Sequence, residues 1–260
     1  MREIIFDYPV KEFTYKVIGE RKLKFYIFES ESSQKNGSII LFFIGGSFSK
    51  DPNSPARFQE QAKYFASKGM ITACVDYRNG ADEGFTPIQA IQDVKSAVRS
   101  VRENYAYLGV DPNKIVVCGS SAGAYISVSS IMFKELNNET DNLSTDNVPN
   151  ALVVFAGGMD GVDIMKRRYP ELLDESIELS PIHHIKKCLP KTIWFCGTVD
   201  IDYEQNKEFI QRMVEKGNEI TFIEYDKMEH GFFHFGRNNN EFYQDTIQKT
   251  EGFLKEIEFI

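Results

Sequence analysis

A serine among small residues, Gly119-Ser120-Ser121-Ala122-Gly123, stands after the apolar run Ile115–Cys118 and before the helix-compatible run Ala124–Phe133. Strand, sharp turn and helix in that order form a nucleophile elbow, which lifts one hydroxyl to the carboxyl end of a sheet. The small residues have a steric reason: a side chain at Gly119 or Gly123 would strike neighbouring backbone in so tight a turn. Ser121 is the nucleophile this spacing selects, and the amide of Ala122, at a helix N-terminus, faces the same space.

A serine hydroxyl attacks poorly unless a base takes its proton and a carboxylate orients that base. In this strand–turn–helix architecture the acid follows the serine and the histidine comes last. Asp200 follows the apolar run Ile193–Cys196 through Gly197-Thr198-Val199, and His230 follows Ile220–Ile223 in Met228-Glu229-His230-Gly231-Phe232. Asp202 is the competing carboxylate, read otherwise as a surface or helix-capping residue; Glu204 should already face outward on the next helix. His183 and His184 read as loop residues packed beside a site, and His234 as structural or at the rim. The developing oxyanion needs donors, and Ile44-Gly45-Gly46-Ser47-Phe48 supplies bare amides. The expected oxyanion hole is the amides of Gly46, Ser47 and Ala122, where losing one donor typically costs ~10²–10³ in turnover.

The elements that must position these residues alternate. After a hairpin read over Tyr15–Ile18 and Leu23–Phe28, turning at Gly19, come six apolar runs: Ile39–Ile44, Ile71–Val75, Ile115–Cys118, Ala151–Phe155, Ile193–Cys196 and Ile220–Ile223. Near-continuous apolar character suits strands covered on both faces, and amphipathic stretches between them predict a parallel α/β sheet. Helical period shows at Phe58, Ala62 and Phe65, and again at Ile88, Ile91, Val94, Val98 and Val101. Ser54-Pro55 and Thr86-Pro87 set a capping hydroxyl before a proline at the first helical position, with Gln89 as the second half of a capping box. Gly69, Gly109 and Gly217 should close helices, and Glu241–Ile257 forms the last one. Lys134–Pro149 and Asp160–Pro190 break the rhythm as long excursions, which in compact folds are often functional covers.

Size and charge limit the alternatives. With 260 residues, folding as one α/β domain over residues 1–260 would hide roughly 75% of the unfolded surface. The formal charge of −8, with scattered lysines, disfavours nucleic-acid and anionic-membrane partners. Cys74, Cys118, Cys188 and Cys196 lack CxxC spacing and read as buried free thiols. No phosphate loop, dinucleotide fingerprint or zinc spacing occurs, so neither cofactor nor metal is expected. The N-terminus, Met1-Arg2-Glu3-Ile4-Ile5-Phe6-Asp7, lacks the apolar stretch of a signal peptide and no long apolar run follows. A cytoplasmic location is therefore expected, or a secreted one if the N-terminus was trimmed.

From about Ile39 to the C-terminus the chain resembles α/β-hydrolase carboxylesterases, in particular acetyl-esterase-like and hormone-sensitive-lipase-like members. The residues that carry the resemblance are IGGSF at Ile44–Phe48, where the family has HGGGF, and GSSAGA, where it has GDSAGG. Further ones are VDYR at Val75–Arg78, GVDPNKI at Gly109–Ile115, LSPIHHI at Leu179–Ile185, GTVD at Gly197–Asp200 and EHGFF at Glu229–Phe233. The resemblance implies an eight-stranded, mostly parallel sheet with helices on both faces and little or no cap. It also implies hydrolysis of short-chain acyl esters, acetyl above all, by Ser121, His230 and Asp200. A small-molecule or carbohydrate ester is the expected partner, and a homodimer stays open. An amidase or peptidase of the same fold and a non-catalytic binding protein are the rival readings. Ile44 stands in place of the family's histidine and Ser47 in place of its third glycine, so the loop must find other hydrogen-bond support. With little chain ahead of Ile39, the large N-terminal cap of hormone-sensitive-lipase relatives is expected to be missing and the acyl pocket more open.

Overall fold

The computed structural model describes residues 4–30 and 36–260; Met1–Glu3, part of the N-terminal stretch read above, lie outside them. Eight strands form one sheet in the order β1-β2-β4-β3-β5-β6-β7-β8. They are β1 (Lys11–Ile18), β2 (Arg21–Phe28), β3 (Ile39–Phe43), β4 (Ile71–Val75), β5 (Ile115–Ser120), β6 (Ala151–Phe155), β7 (Lys191–Gly197) and β8 (Ile220–Tyr225). β1 and β2 run antiparallel, as do β2 and β4, and every later pairing is parallel. This is the α/β-hydrolase fold.

Alternation along each strand divides the core between the two faces. On β5, Ile115 and Val117 join one buried cluster while Val116 and Cys118 join the other. Each such side chain withdrawn from water contributes about 1.5–3 kcal/mol before entropy is counted. Helices α1 (Gln59–Ser67), α2 (Pro87–Glu103), α4 (Ala122–Met132), α6 (Tyr203–Glu215) and α7 (Glu241–Glu256) cover these faces, with a short turn of helix, α3 (Tyr105–Leu108), after α2. At the start of α2 the Thr86 amide donates to Gln89 Oε1 at 3.2 Å, the second half of the expected capping box. Gly69, Gly109 and Gly217 all have positive φ where helices end.

The first strand is longer than the hairpin expected from Tyr15–Ile18. Half of it is solvent-exposed, so its apolar pattern is weak, yet Phe13 and Tyr15 both stack on Phe25, at 5.8 and 4.6 Å. Of the two excursions, 134–149 has neither helix nor strand; buried Asp141 accepts from Ser96 and Arg99 and pairs with Lys16. The other is partly helical. It holds α5 (Gly161–Arg168) and 3-10 turns at Pro170–Glu175 and Pro181–His183. Among the described residues no helix is long and apolar enough to cross a membrane.

Candidate active site

Chain order and strand order part company between β3 and β5: from β3 the chain moves to β4 on one side and then crosses to β5 on the other. Such a switch point opens a crevice beyond the carboxyl ends of the strands. The Gly45–Phe48 loop leaves β3 there and Ser121 leaves β5 beside it.

Ser121 has φ 53° and ψ −121°, a conformation costing a non-glycine residue about 1–3 kcal/mol. Its surroundings force it. The Ser121 amide donates to Phe155 O of β6 at 2.9 Å, and its carbonyl starts α4 by accepting from the Tyr125 amide at 3.0 Å. A Cβ on Gly123 would lie 2.0 Å from Phe43 O, and one on Gly119 2.5 Å from Gly123 O. α4 is buried all round, from Ala122 to Met132, so its N-terminal amides stay where the core sets them.

Asp200 lies on the turn after β7 and His230 on the turn after β8, the neighbouring parallel strand. His230 Nδ1 meets Asp200 Oδ2 at 2.8 Å, with the carboxylate side chain fully buried and the imidazole 41% exposed. The other carboxylate oxygen accepts from the Asp202 amide at 2.9 Å. An ionised carboxylate only accepts, so Nδ1 carries the proton and Nε2 is the basic nitrogen. The hydrogen bond to Asp200 raises the imidazole pKa above its ordinary 6.5 against the opposing effect of burial, and the charges of Asp200 and Asp202 add to the rise. His230 and Ser121 line the same cavity of about 160 Å³.

Among the described residues no protein acceptor takes the amides of Gly46, Ser47 or Ala122. The missing family histidine is replaced by a different set of supports. Tyr77 donates its hydroxyl to Ile44 O at 2.6 Å, Asn53 donates Nδ2 to Gly45 O at 2.9 Å, and the Gly45 amide donates to Ser120 Oγ at 3.2 Å. Ser47 and Phe48 both take positive φ, 53° and 55°. Phe48 is held there by the rings of Phe85, Tyr125 and Tyr169 and by the Tyr169 hydroxyl on its carbonyl. Asn53 and Tyr77 are residues that sequence reasoning missed, although Tyr77 lies in the VDYR motif.

Asp202 departs from its expected surface or capping role. It precedes α6 without a side-chain cap bond, is only 9% exposed, and leaves Oδ1 without a hydrogen-bond partner. The fold-back that delivers its amide to Asp200 turns its side chain toward α5, where Arg167 lies 3.7 Å away. Burial, then the charge of Asp200, raises its pKa. Asp200, Asp202 and His230 offer ligand atoms within 4.8 Å of one another. Both oxygens of Asp200 are already engaged, and hard cations ask for six or more oxygen ligands. His183 bonds Ser180 Oγ and His184 bonds Ile177 O, and neither lines the cavities at Ser121. His234 packs on Phe233 and Phe58 and reaches the rim of the cavity.

A second cavity beside Ser121 holds about 70 Å³ and is lined by Phe48, Tyr125, Ile164 and Asp202 among others. α5 forms one wall of it through Ile164, Arg167 and Arg168, and the helix is held by the Asp160 carboxylate on the Val162 and Asp163 amides and by Ser180 Oγ on the Gly161 amide.

A strained serine at a switch point, an imidazole–carboxylate pair at the ends of β7 and β8 and uncommitted amides are gathered at one edge of an α/β-hydrolase sheet. The chain belongs to the BD-FAE family, whose model matches residues 25–213. It is similar to Gut esterase 1 of Caenorhabditis elegans, 29% identical over 198 residues, 70% of this chain and 34% of that protein. Esterase LipC of Mycobacterium tuberculosis is 24% identical over 222 residues, 76% of this chain and 54% of that protein. The chain thus spans about a third to a half of the length of these curated relatives. Against the solved apo form of Thermogutta terrifontis esterase 2 the identity is 34%, the TM-score 0.88 and the coverage 96% of both chains.

Proposed function

We propose that the protein is a serine carboxylesterase that hydrolyses short-chain acyl esters. The observation that carries this reading is the strained Ser121 sharing a cavity with an imidazole whose Nδ1 is fixed on a buried carboxylate. In the forward step His230 Nε2 takes the Ser121 proton as Oγ bonds to the ester carbonyl carbon. The oxyanion accepts from the Gly46, Ser47 and Ala122 amides. Collapse breaks the bond to the alcohol oxygen, which leaves with the proton from His230. Water then attacks the acyl-enzyme, giving its proton to the same nitrogen, and Ser121 departs with it as the acid is freed.

Because His230 must protonate the leaving alcohol, the cavity that contains it is the alcohol side. The cavity without it, bounded by Ala122, Phe48, Tyr125 and Ile164, is the acyl side. One water needs roughly 10–15 Å³ on this measure, so about 70 Å³ admits a chain of a few heavy atoms. Solved forms of the Thermogutta terrifontis esterase 2 include propionate-bound, butyrate-bound and paraoxon-phosphorylated ones, in keeping with this size class and with a reactive nucleophile.

A 4-nitrophenyl ester series from acetate to octanoate tests the reading. Turnover should be highest from acetyl to butyryl, fall at least about tenfold by octanoyl, and vanish in Ser121→Ala. Undiminished turnover in that variant would overturn the assignment.

A further inference from the structure

Charge is distributed unevenly around Ser121. The chain carries 38 acidic against 30 basic residues, yet the alcohol-side cavity is lined by Arg57, Arg237, His230 and His234 and by no Asp or Glu. Among the described residues, Arg21, Arg78, Arg99, Arg102, Arg167 and Arg212 each pair with a carboxylate. Arg57, Arg168 and Arg237 do not, and all three line the cavities that meet at Ser121. Arg168 shares the acyl side with Asp202, a built-in counter-charge. The alcohol side has none.

Each of the two alcohol-side arginines is held by an uncharged acceptor. Arg57 Nη1 donates to Asn53 Oδ1 at 3.0 Å and Arg237 Nη1 to the His230 carbonyl at 3.2 Å. A guanidinium has five N–H donors in a planar fork that matches a carboxylate, so most of each fork stays available. The two come from separate segments, the 3-10 turn Pro55–Phe58 after the glycine loop and the turn that follows His230. Their field is felt inside the cavity: burial first, then Arg57 and Arg237, hold the His234 pKa down to about 3. His234 is therefore neutral at ordinary pH, and the arginines supply the standing positive charge.

We propose that Arg57 and Arg237 form a carboxylate subsite on the alcohol side, so that the preferred esters are those whose leaving alcohol carries a carboxylate. This rests on the esterase reading above and adds the class of leaving group. A carboxylated alcohol would span from the scissile oxygen at His230 to the two guanidinium groups. The alcohol oxygen leaves protonated by His230, and its carboxylate faces the same solvent-exposed cations before and after the bond breaks, which places the discrimination in binding rather than in the chemical step.

The test measures kcat/KM for 4-acetoxybenzoate and for its methyl ester, and follows the ratio across variants so that intrinsic leaving-group reactivity cancels. In Arg57→Gln/Arg237→Gln the ratio of carboxylated to methyl ester should fall about tenfold, the scale of two exposed cations at a rim. The change should sit in KM. In the wild type the ratio should also fall as salt rises from 0.01 to 1 M, over which screening shortens from roughly 30 to 3 Å. The charge-retaining Arg57→Lys/Arg237→Lys pair should keep most of the preference. If the glutamine pair does not fold, the two single variants carry the test, each lowering the ratio about threefold. Turnover of both esters with a ratio that neither the variants nor salt change overturns the subsite alone. No turnover of either ester by the wild type overturns the esterase reading and the subsite with it.

Discussion

Asn53 should control turnover without touching substrate. A trans peptide holds its C=O and N–H in opposite directions across one plane. The Asn53 amide that fixes Gly45 O at 2.9 Å therefore also aims the Gly46 N–H, which belongs to the same peptide. Tyr77 on Ile44 O does the same for the Gly45 N–H, which is spent on Ser120 Oγ. Asn53→Ala removes two hydrogen bonds at a half-buried residue, the one to Gly45 O and the exposed one from Arg57; the first carries a net stability loss of about 0.5–1.5 kcal/mol, or about 2–4 °C in Tm per kcal/mol for a chain of this size, and the solvent-exposed second adds little. On catalysis the ceiling is complete loss of a donor, ~10²–10³, and the floor is the cost of re-aiming one freed peptide, about 1 kcal/mol or fivefold. We expect kcat on 4-nitrophenyl acetate to fall between these limits, with KM within about twofold, since the hole acts chiefly on the transition state. Asn53 also accepts from Arg57, so a control is needed. Asn53→Asp keeps that acceptor but turns an oxygen toward Gly45 O, and it should be at least as slow as the alanine variant. Unchanged kcat in Asn53→Ala, or a mild effect in Asn53→Asp beside a severe one in Asn53→Ala, would mean that Asn53 does not aim the Gly46 amide.

The acid limb of the kcat/KM profile should have its midpoint above 6.5, because the Asp200 hydrogen bond raises the His230 pKa and the reaction needs the neutral imidazole. Activity then rises with pH through that value, and Asp202→Asn, which removes one of the charges that raise it, should move the limb toward lower pH. Asp200→Asn should cost about 10³–10⁴ in kcat by releasing the imidazole tautomer. Ile164→Ala, which opens the roof of the 70 Å³ cavity, should shift the preferred acyl chain longer by about two carbons, read from the same ester series; an unshifted optimum would place the acyl group elsewhere. Gly123→Ala sets a Cβ 2.0 Å from a core carbonyl and should lower stability by about 3 kcal/mol or more, visible as a lower midpoint in urea.

Residues that answer to local rules were legible in the sequence. Ser121, Asp200 and His230 each follow an apolar run, and in a parallel sheet the carboxyl ends of β5, β7 and β8 must lie along one edge. The turn at Gly119–Gly123 announces itself because only small residues survive contacts as short as those to Phe43 O and Gly123 O. What could not be read depends on contacts between distant segments. Tyr77 reaches Ile44 across 33 residues, and nothing in its own neighbourhood says so. Asp202 looks like a helix cap by position, and only the return of its amide to Asp200 turns the carboxylate inward. The helix α5 was hidden because its apolar face is short, with Ile164 and Met165 buried among charged residues, so its place in the wall of the cavity beside Ser121 went unforeseen. The unpaired state of Arg57 and Arg237 is a fact about their neighbours, and composition carries no trace of it.

Ser121 alone among the serines should be nucleophilic, activated by its turn and by the His230 imidazole. Incubation with an aryl organophosphonate, followed by intact-mass and peptide mass spectrometry, reads this directly. A single adduct per chain is expected, on Ser121, formed in step with loss of esterase activity, and none in Ser121→Ala or in wild type held well below the His230 pKa. An adduct on another residue, or an unlabelled Ser121 in protein that still hydrolyses esters, would contradict it.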